Sequence, residues 1–243
     1  MRSGKHEPRT MARQSIDSPE MPGGAGERFG GYGVMGLPFA SGHYLALRHF
    51  TETSIGPAYR AVWHRDPDGG WTIHADAPPE ISCARYFSSA LGEAVTTPIE
   101  IDWTGPRSLT VGIDGVLRWQ IDIAADAATR MMSAVGAMLP AGAAQAPWLL
   151  RPMSRMAGPM LSVGRVRMAG DVPNGQSYGA IPRRVWGIPA SEAEIDGEDL
   201  GPLGPLPEQD HLADFWLPQR GIFYTDGAAA FSNSTPAQVF ASR

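Results

Sequence analysis

Lysine and cysteine are almost missing from this sequence of 243 residues. Lys5 is the one lysine, which excludes catalysis through a Schiff base and a phosphate-binding loop built on a lysine. Cys83 is the one cysteine, which excludes an intramolecular disulfide and any site with several cysteines. The nucleophile elbow, the Walker loop and the dinucleotide-binding glycine pattern are also missing. These absences fit a reducing compartment and identify no reaction.

Long apolar runs are missing as well. The N-terminus has no continuous apolar segment of the kind found in signal peptides, and glycines and prolines interrupt residues 134–150. We therefore expect the protein to reside in the cytoplasm. Because the net charge is −5, we do not expect it to bind nucleic acid.

Acidic residues are absent between Asp126 and Asp171. The same segment holds seven of the eleven methionines and, as its only charges, five arginines. Since methionine adapts its shape to many partners, an apolar surface edged by positive charge is a candidate gate for an apolar or acidic ligand. Methionine at helical spacing is also typical of a packed core, and this alternative stays open. The candidate ligand-binding residues in this segment are Met131, Met138, Met153, Met156, Arg151 and Arg155.

Most of the remaining sequence has the composition of short β-strands. Such segments are rich in β-branched and aromatic residues and are bounded by Gly, Pro and Asp. Asp-Gly and Asn-Gly pairs between them favour tight turns. The predicted fold class is therefore mainly β, an antiparallel β-barrel or β-sandwich with a short helical insert. The predicted strands are 43–51, 57–65, 71–75, 81–87, 97–103, 107–113, 117–124 and a last one around 221–224.

The turns also predict how three of these strands pair. A three-residue loop that ends at Gly115, with Gly115 in the left-handed conformation, pairs Val111 with Leu117. The same argument for the loop at 104–106 places Ile99 opposite Val111. The three strands then share one apolar face and one polar face.

Each face suggests a different kind of site. Trp103 and Trp119 lie on the apolar face and are candidate ligand-binding residues: if this face lines the barrel, its cavity suits a hydrophobic ligand, and which face lines the cavity stays open. Asp102 lies on the polar face and is a candidate acid or base, because neighbouring carboxylates separate their pKa values. A solvated sheet face with cross-strand ion pairs has the same pattern, and we favour that interpretation of the polar face.

The domain limits follow from composition. Residues 1–30 lack apolar periodicity and are predicted to be a disordered tail. Residues 31–230 are predicted to form one barrel-like domain, with a helical insert at 126–160 and an acidic connection at 189–218. Residues 231–243 are predicted to be a polar C-terminal tail.

Within the insert, helix signals are clear. Asp126 is a good N-cap, and Pro140 is expected to end the first helix. A second short helix is expected to start near Pro147 or Pro152 and to stop by Pro159.

Two histidines, His64 and His74, flank a predicted turn and lie on one face of the sheet. A metal site needs three or four ligands, and no third ligand is evident, so we predict no metal. A haem iron needs only one axial histidine and stays open, but we predict no cofactor. His64, His74 and Asp102 are the candidate catalytic residues, although histidines on an exposed hairpin are the simpler interpretation.

If the sheet closes, its first and last strands meet. Polar and aromatic residues near both ends are then expected to converge, and two of them, Trp216 and Arg220, are candidate ligand-binding residues. The others are His43, Tyr44, His49 and Tyr224.

Five segments resemble an uncharacterised family of actinobacterial proteins. They are 83–87 (CARYF), 98–106 (PIEIDWTGP), 173–176 (PNGQ), 204–209 (GPLPEQ) and 214–221 (DFWLPQRG). The resemblance covers most of the chain after residue 30 and implies no activity. In architecture alone, the chain is similar to lipocalin-like proteins of the carotenoid-hydratase type, whose barrels hold hydrophobic ligands. No motif matches them, so that likeness implies no catalytic residue.

Three functions are consistent with these patterns. The leading hypothesis is the binding of a hydrophobic small molecule or lipid in a β-barrel cavity. The second is a cofactor-independent hydratase, isomerase or cyclase. The third is a peripheral membrane or partner-docking protein that uses the insert as an amphipathic patch. The ligand and the oligomeric state stay open.

Overall fold

One large curled sheet organises the computed structural model, which describes residues 6–140 and 142–233. The strands are β1 (Glu27–Pro38), β2 (Tyr44–Thr53), β3 (Tyr59–Arg65), β4 (Trp71–Ala75), β5 (Glu93–Thr96), β6 (Glu100–Asp102), β7 (Ser108–Ile113), β8 (Leu117–Ala124), β9 (Ala169–Asp171), β10 (Ser177–Ile195), β11 (Glu198–Asp199), β12 (His211–Leu212), β13 (Phe215–Trp216) and β14 (Ile222–Phe231). The helices are α1 (Pro8–Asp17), α2 (Ala84–Phe87), α3 (Ala127–Ala137) and α4 (Pro147–Leu161), with short 3-10 helices at Pro79–Ile81, Ser88–Ala90 and Ala143–Gln145. The predicted mainly β class is confirmed, and the sheet forms a half-barrel.

The strand order along the sheet is β5-β4-β3-β2-β1-β14-β10-β8-β7-β6. All neighbours in this order are antiparallel except β4 and β5, which are parallel. The long strand β10 pairs with β14 over its first part and with β8 over its second part. β9 and β11 add to β10, while β12 and β13 form a separate two-stranded sheet.

Alternate residues of β2 point to opposite sides of the sheet and enter different apolar clusters. We call these sides the packed face and the cavity face. The packed face includes Tyr32, Val34, Leu45, Leu47, Leu109, Val111, Trp119, Ile121 and Phe223. The cavity face includes Phe29, Tyr44, Ala46, Trp63, Cys83, Phe87 and Tyr178.

The prediction of a disordered tail over residues 1–30 is wrong for the described part of that range. Helix α1 occupies Pro8–Asp17, and β1 already begins at Glu27. Pro8 stands at the first helical turn, where its missing N–H costs no hydrogen bond. Met11 and Ala12 are buried in the packed face, so two apolar side chains hold a segment that has little apolar periodicity.

The predicted strand at 81–87 is also wrong, because this segment contains α2. Cys83, Tyr86 and Phe87 are all buried on the cavity face. Their spacing of three and four residues is that of one helix face, and it was masked by the β-forming composition of the segment.

The predicted strand pairing is shifted by two residues. Val111 pairs with Trp119 instead of Leu117, and with Ile101 instead of Ile99. Gly115 does adopt a positive φ of 70°, but the loop between β7 and β8 is 114–116. A shift of two residues preserves the face to which each side chain points, so the predicted apolar face is buried.

The acidic connection predicted at 189–218 is wrong at its start, because β10 continues to Ile195. The pairing of β10 with β8 skips between Gly187 and Ala190. This bulge accommodates Pro189, which has no backbone N–H to donate to β8.

The two larger helices lie within the range predicted for the insert, apart from the last residue of α4. Asp126 caps α3, since its side chain accepts a hydrogen bond of 2.7 Å from the backbone N–H of Thr129. Helix α4 starts at Pro147 but does not stop at Pro159. Pro152 and Pro159 both lie on the exposed side of α4. A proline donates no hydrogen bond to the carbonyl four residues earlier, and on this side solvent can bind that carbonyl instead. In the described residues, no helix combines the length and the hydropathy needed to cross a bilayer.

Candidate functional site

An apolar cavity of about 110 Å³ opens on the cavity face, between β1, β2, β10, β14 and the loop that carries β13. Aromatic rings form much of its wall: Phe29, Phe50, Trp63, Phe87, Tyr178, Phe215, Trp216, Tyr224 and Phe231. A dry apolar cavity of roughly 150 Å³ is known to hold benzene. The space therefore suits a ligand about the size of one ring.

Arg48 brings a positive charge into this cavity from the middle of β2. It is only 7% exposed. Its guanidinium carbon lies 5.1 Å from the ring centroid of Trp63 and 5.9 Å from that of Tyr224. Stacking on aromatic rings stabilises a cation, but more weakly than a carboxylate does.

Three backbone carbonyls hold the Arg48 guanidinium. Its Nη1 donates to the carbonyls of Val34 and Leu47, and its Nη2 donates to that of Met35 at 3.1 Å. Gly33 pairs with Arg48 across β1 and β2, and a Cβ at this position would lie 2.1 Å from the Leu47 carbonyl oxygen. Glycine is thus required beside the carbonyl that binds Arg48.

Two N–H groups of Arg48 keep no partner among the described residues. A guanidinium has five N–H donors, and three of them are used by the carbonyls. Nε makes no hydrogen bond to a described residue and Nη2 makes one, so the edge of the planar group that carries both can bind a further acceptor. This edge matches the two oxygens of a carboxylate.

The charge of Arg48 is not balanced within the cavity. Among the described residues that line it there is no Asp or Glu, and the other charged residue is Arg167. Arg167 has its own ion pair with Asp214. Some half-buried arginines elsewhere have carboxylate partners, as Arg184 has Asp226 at 3.3 Å. Arg48 therefore differs from them in being both more buried and without a described acidic partner.

Cys83 lines the same cavity, and its thiol is expected to be unreactive. The Trp63 Nε1–H donates to its Sγ at 3.3 Å. Burial raises the pKa of the Cys83 thiol, so it stays protonated near neutral pH. A neutral thiol is a poor nucleophile, and Cys83 acts here as part of the apolar wall.

The candidate catalytic histidines lie away from this cavity. His64 Nε2 is 3.0 Å from His43 Nδ1, and the two rings stack. Burial, followed by the neighbouring His43 and His74, lowers the pKa of His64 to about 4. Burial also lowers the pKa of His74. Within residues 6–140 and 142–233, no group of three or more potential ligands is arranged to hold a metal.

A second polar pair is buried in the packed face. His49 Nδ1 and the Tyr32 hydroxyl share a hydrogen bond of 2.8 Å. Burial, assisted by Arg60, lowers the pKa of His49 to about 4, and burial raises that of Tyr32 to about 12. Both groups are neutral near pH 7, so this pair stabilises the packed face without adding charge.

The other predicted residues of the sheet are placed as follows. Trp119 is fully buried in the packed face, where its Nε1–H donates to Ser191 at 2.9 Å. Trp103 packs against the same cluster. Asp102 is exposed on the opposite side of β6. None of the three lines the cavity.

Of the ten predicted ligand-binding residues, Trp216 lies at the cavity. Its ring stacks under Arg165, whose guanidinium carbon is 4.3 Å from the ring centroid. Arg220 lies outside and donates to Asp126 at 2.7 Å. Tyr224 lines the cavity too, as expected for a residue near the meeting point of the first and last strands.

The predicted residues of the helical insert separate into two groups. Met153 is partly buried between the helices and the sheet. The other five are exposed: Met131, Met138, Met156, Arg151 and Arg155. None of the six lines the cavity.

Arg48 is the candidate site residue that sequence reasoning missed. The segment 44–50 (YLALRHF) is apolar at both alternating sets of positions, which indicates a strand buried on both sides. A charged residue inside such a segment is a signal for a buried cation, and this signal was available.

Comparisons with known proteins assign no family to the chain. No family model matches the chain, and no curated protein matches it. Among solved structures, the chain is similar to acetoacetate decarboxylase from Legionella pneumophila subsp. pneumophila str. Philadelphia 1, with a TM-score of 0.39, 8% identity, and coverage of 90% of this chain and 93% of that chain. Membership of an actinobacterial family and the lipocalin likeness stay predictions.

Proposed function

We propose that the protein binds a small, mostly apolar molecule with one anionic group in the cavity beside Arg48. This deepens the hypothesis of hydrophobic ligand binding from the sequence. The observation that carries the proposal is a buried guanidinium that faces an aromatic cavity with no carboxylate among its described lining residues.

The energetics favour an anion as the missing partner. A buried charge without a counter-charge is destabilised by several kcal/mol, on the order of the cost per ion in a protein interior. Three carbonyls offset part of this cost, and a ligand carboxylate on the free edge of Arg48 offsets more. Because Asp214 neutralises the charge of Arg167, Arg48 attracts an anion in the cavity more strongly than Arg167 does.

The walls favour an apolar body of limited size. Rings surround the space, and such walls exclude water and accept a ring or a short branched chain. A molecule with a ring and a carboxylate, such as benzoate, meets both requirements and serves as a probe.

Binding is better supported than turnover. The described residues that line the cavity include no His, Asp or Glu, and its titratable Cys83, Tyr178 and Tyr224 all have pKa values raised by burial. A cofactor-independent hydratase, isomerase or cyclase remains the alternative. It requires an acid or base at the cavity, for which no residue is as well placed as Arg48 is for binding.

The first experiment is native mass spectrometry of freshly purified protein, followed by solvent extraction of anything that co-purifies. The second is calorimetric titration with benzoate and with its neutral analogue benzamide. We expect benzoate to bind at least about ten-fold more tightly, because a charge-assisted hydrogen bond adds about 1.5 to 3 kcal/mol. Arg48→Gln should remove this difference.

Two further variants make the test specific. Arg118→Gln removes an exposed arginine far from the cavity and should leave benzoate binding unchanged. Ala229→Leu fills the cavity from β14 and should weaken benzoate and benzamide alike. Equal affinity for the two probes in the unmodified protein, or binding that survives Ala229→Leu, would contradict the proposal.

A further inference from the structure

Helices α3 and α4 carry nearly all of the exposed large apolar side chains in the described residues. These are Met131, Val135, Met138, Trp148 and Met156, exposed by 51%, 43%, 86%, 77% and 63%. The other such residue is Ile16 on α1. Large apolar side chains that cluster in this way mark an interaction surface more often than scattered ones do.

The cluster lies on the outer sides of both helices. On α3, Met131, Val135 and Met138 are spaced by four and three residues and so share one face. The opposite side of α3 packs on β10, where Ser133 donates to the Val185 carbonyl at 3.1 Å. Helix α4 contacts α3 and buries Leu150 beneath it.

The charges on these outer sides are all positive. Arg130, Arg151 and Arg155 are exposed, and the chain has no acidic residue between Asp126 and Asp171. Arg151 and Arg155 form no ion pair with any residue in 6–140 or 142–233. They follow Trp148 at intervals of three and seven residues, so ring and charges share one face of α4.

We propose that this α3/α4 surface, formed by Arg130, Met131, Val135, Met138, Trp148, Arg151, Arg155 and Met156, docks on the face of an anionic lipid bilayer. Tryptophan and methionine insert their apolar parts at the boundary between headgroups and acyl chains, while arginine reaches the phosphates. The local positive charge is complementary to anionic lipid, although the whole chain carries −5.

A second copy of the chain fits this surface less well. In a two-fold contact the same surface is used by both copies, so the arginines Arg130, Arg151 and Arg155 of one copy lie against a surface that carries the same three positive charges. No carboxylate within the surface would offset their repulsion. The bilayer proposal does not depend on what the cavity binds.

The test is co-sedimentation of the full chain with vesicles of phosphatidylcholine, alone or with phosphatidylglycerol. We expect binding to the anionic vesicles, and we expect it to weaken as the salt concentration rises from about 0.05 M to about 0.5 M, since salt screens surface charge. The double variant Arg151→Gln/Arg155→Gln should bind at least about ten-fold more weakly. Met138→Ser/Trp148→Ser should lose binding to a similar degree.

Matched controls come from the rest of the molecule. Arg118→Gln removes another exposed arginine, and Ile16→Ser removes the exposed apolar side chain outside the surface. Both should bind vesicles as the unmodified protein does. The surface variants should keep their benzoate affinity, which shows that they are folded and separates this test from that of the cavity.

Several results would overturn the proposal. One is equal binding to neutral and anionic vesicles, and another is no binding to either. A third is binding that both double variants retain. A fourth is a concentration-dependent dimer in sedimentation velocity that Met138→Ser/Trp148→Ser abolishes, because the surface would then be an interface between copies.

Discussion

The packed face and the cavity face of the sheet bury similar side chains but fill space differently. On the packed face, Leu109, Trp119 and Ile121 from neighbouring strands are fully buried, and none of the three lines the cavity beside Arg48. On the cavity face, aromatic side chains surround the cavity and the guanidinium of Arg48. Apolar composition therefore does not distinguish a closely packed core from one that encloses a cavity.

Truncating a large side chain should separate the two faces most strongly. We expect Trp119→Ala to lower the free energy of unfolding by about 3 to 5 kcal/mol, because it leaves a cavity in the packed face and removes the hydrogen bond to Ser191. Trp216→Ala at the cavity should cost about 1 kcal/mol. Urea unfolding followed by circular dichroism measures the free energy of unfolding of both variants. Equal losses in the two variants would contradict the difference in packing between the two faces.

The packed face should also respond to acid. The pKa of His49 is about 4 in the folded chain against an ordinary value of 6.5, so the unfolded chain takes up more protons between these values. The free energy of unfolding should thus fall as pH drops from 6.5 to 4, with His49 contributing at most about 3 kcal/mol.

His64 acts in the same direction, since its pKa is lowered too. Replacing His49 by glutamine should flatten the pH dependence. Unfolding curves at a series of pH values test this, and an unchanged slope in the His49 variant would show that the group does not titrate as described.

A matched pair of insertions sharpens the comparison. Ala193→Leu adds volume to the packed face and should destabilise by about 1 to 3 kcal/mol. Ala229→Leu extends into the cavity and should change stability by less than about 0.5 kcal/mol. Thermal unfolding measures the stability of both variants. A large loss of stability in Ala229→Leu would mean that the cavity wall cannot accept a ligand-sized group.

The smallest effect should come from the polar side of the sheet. Arg118 is 84% exposed and pairs with Glu194 at 3.3 Å. Arg118→Gln should change stability by no more than about 0.5 kcal/mol, because solvent screens such a pair. A larger loss in urea unfolding would disqualify this variant as a control.

The sequence predicted which sides of the strands are buried, but not what the burial encloses. Alternation in residues 97–124 correctly identified the face of Leu109 and Trp119. It did not reveal which face lines a cavity, because alternation reports contact with apolar surroundings and carries no information on how volumes from distant segments fit together. Arg48, Trp63 and Tyr224 meet only through tertiary packing.

Local rules were reliable where one or two residues decide the backbone. Asp126 caps α3, and Gly115 takes the left-handed conformation. The same rules misjudged the segment 81–87 and α1, where tertiary burial of Tyr86 and Met11 overrides weak local preference. Helix existence in the insert was predictable, whereas the exposure of its methionines was not.

The position of β14 has a consequence for biosynthesis. This strand is the last in the described chain, yet it occupies the middle of the sheet between β1 and β10. Its partner β1 is synthesised almost two hundred residues earlier, so β1 leaves the ribosome with one edge that has no partner until nearly the whole chain has emerged. Such distant pairing slows folding and exposes an aggregation-prone edge. We expect the nascent chain to engage holding chaperones while it waits for its final strand.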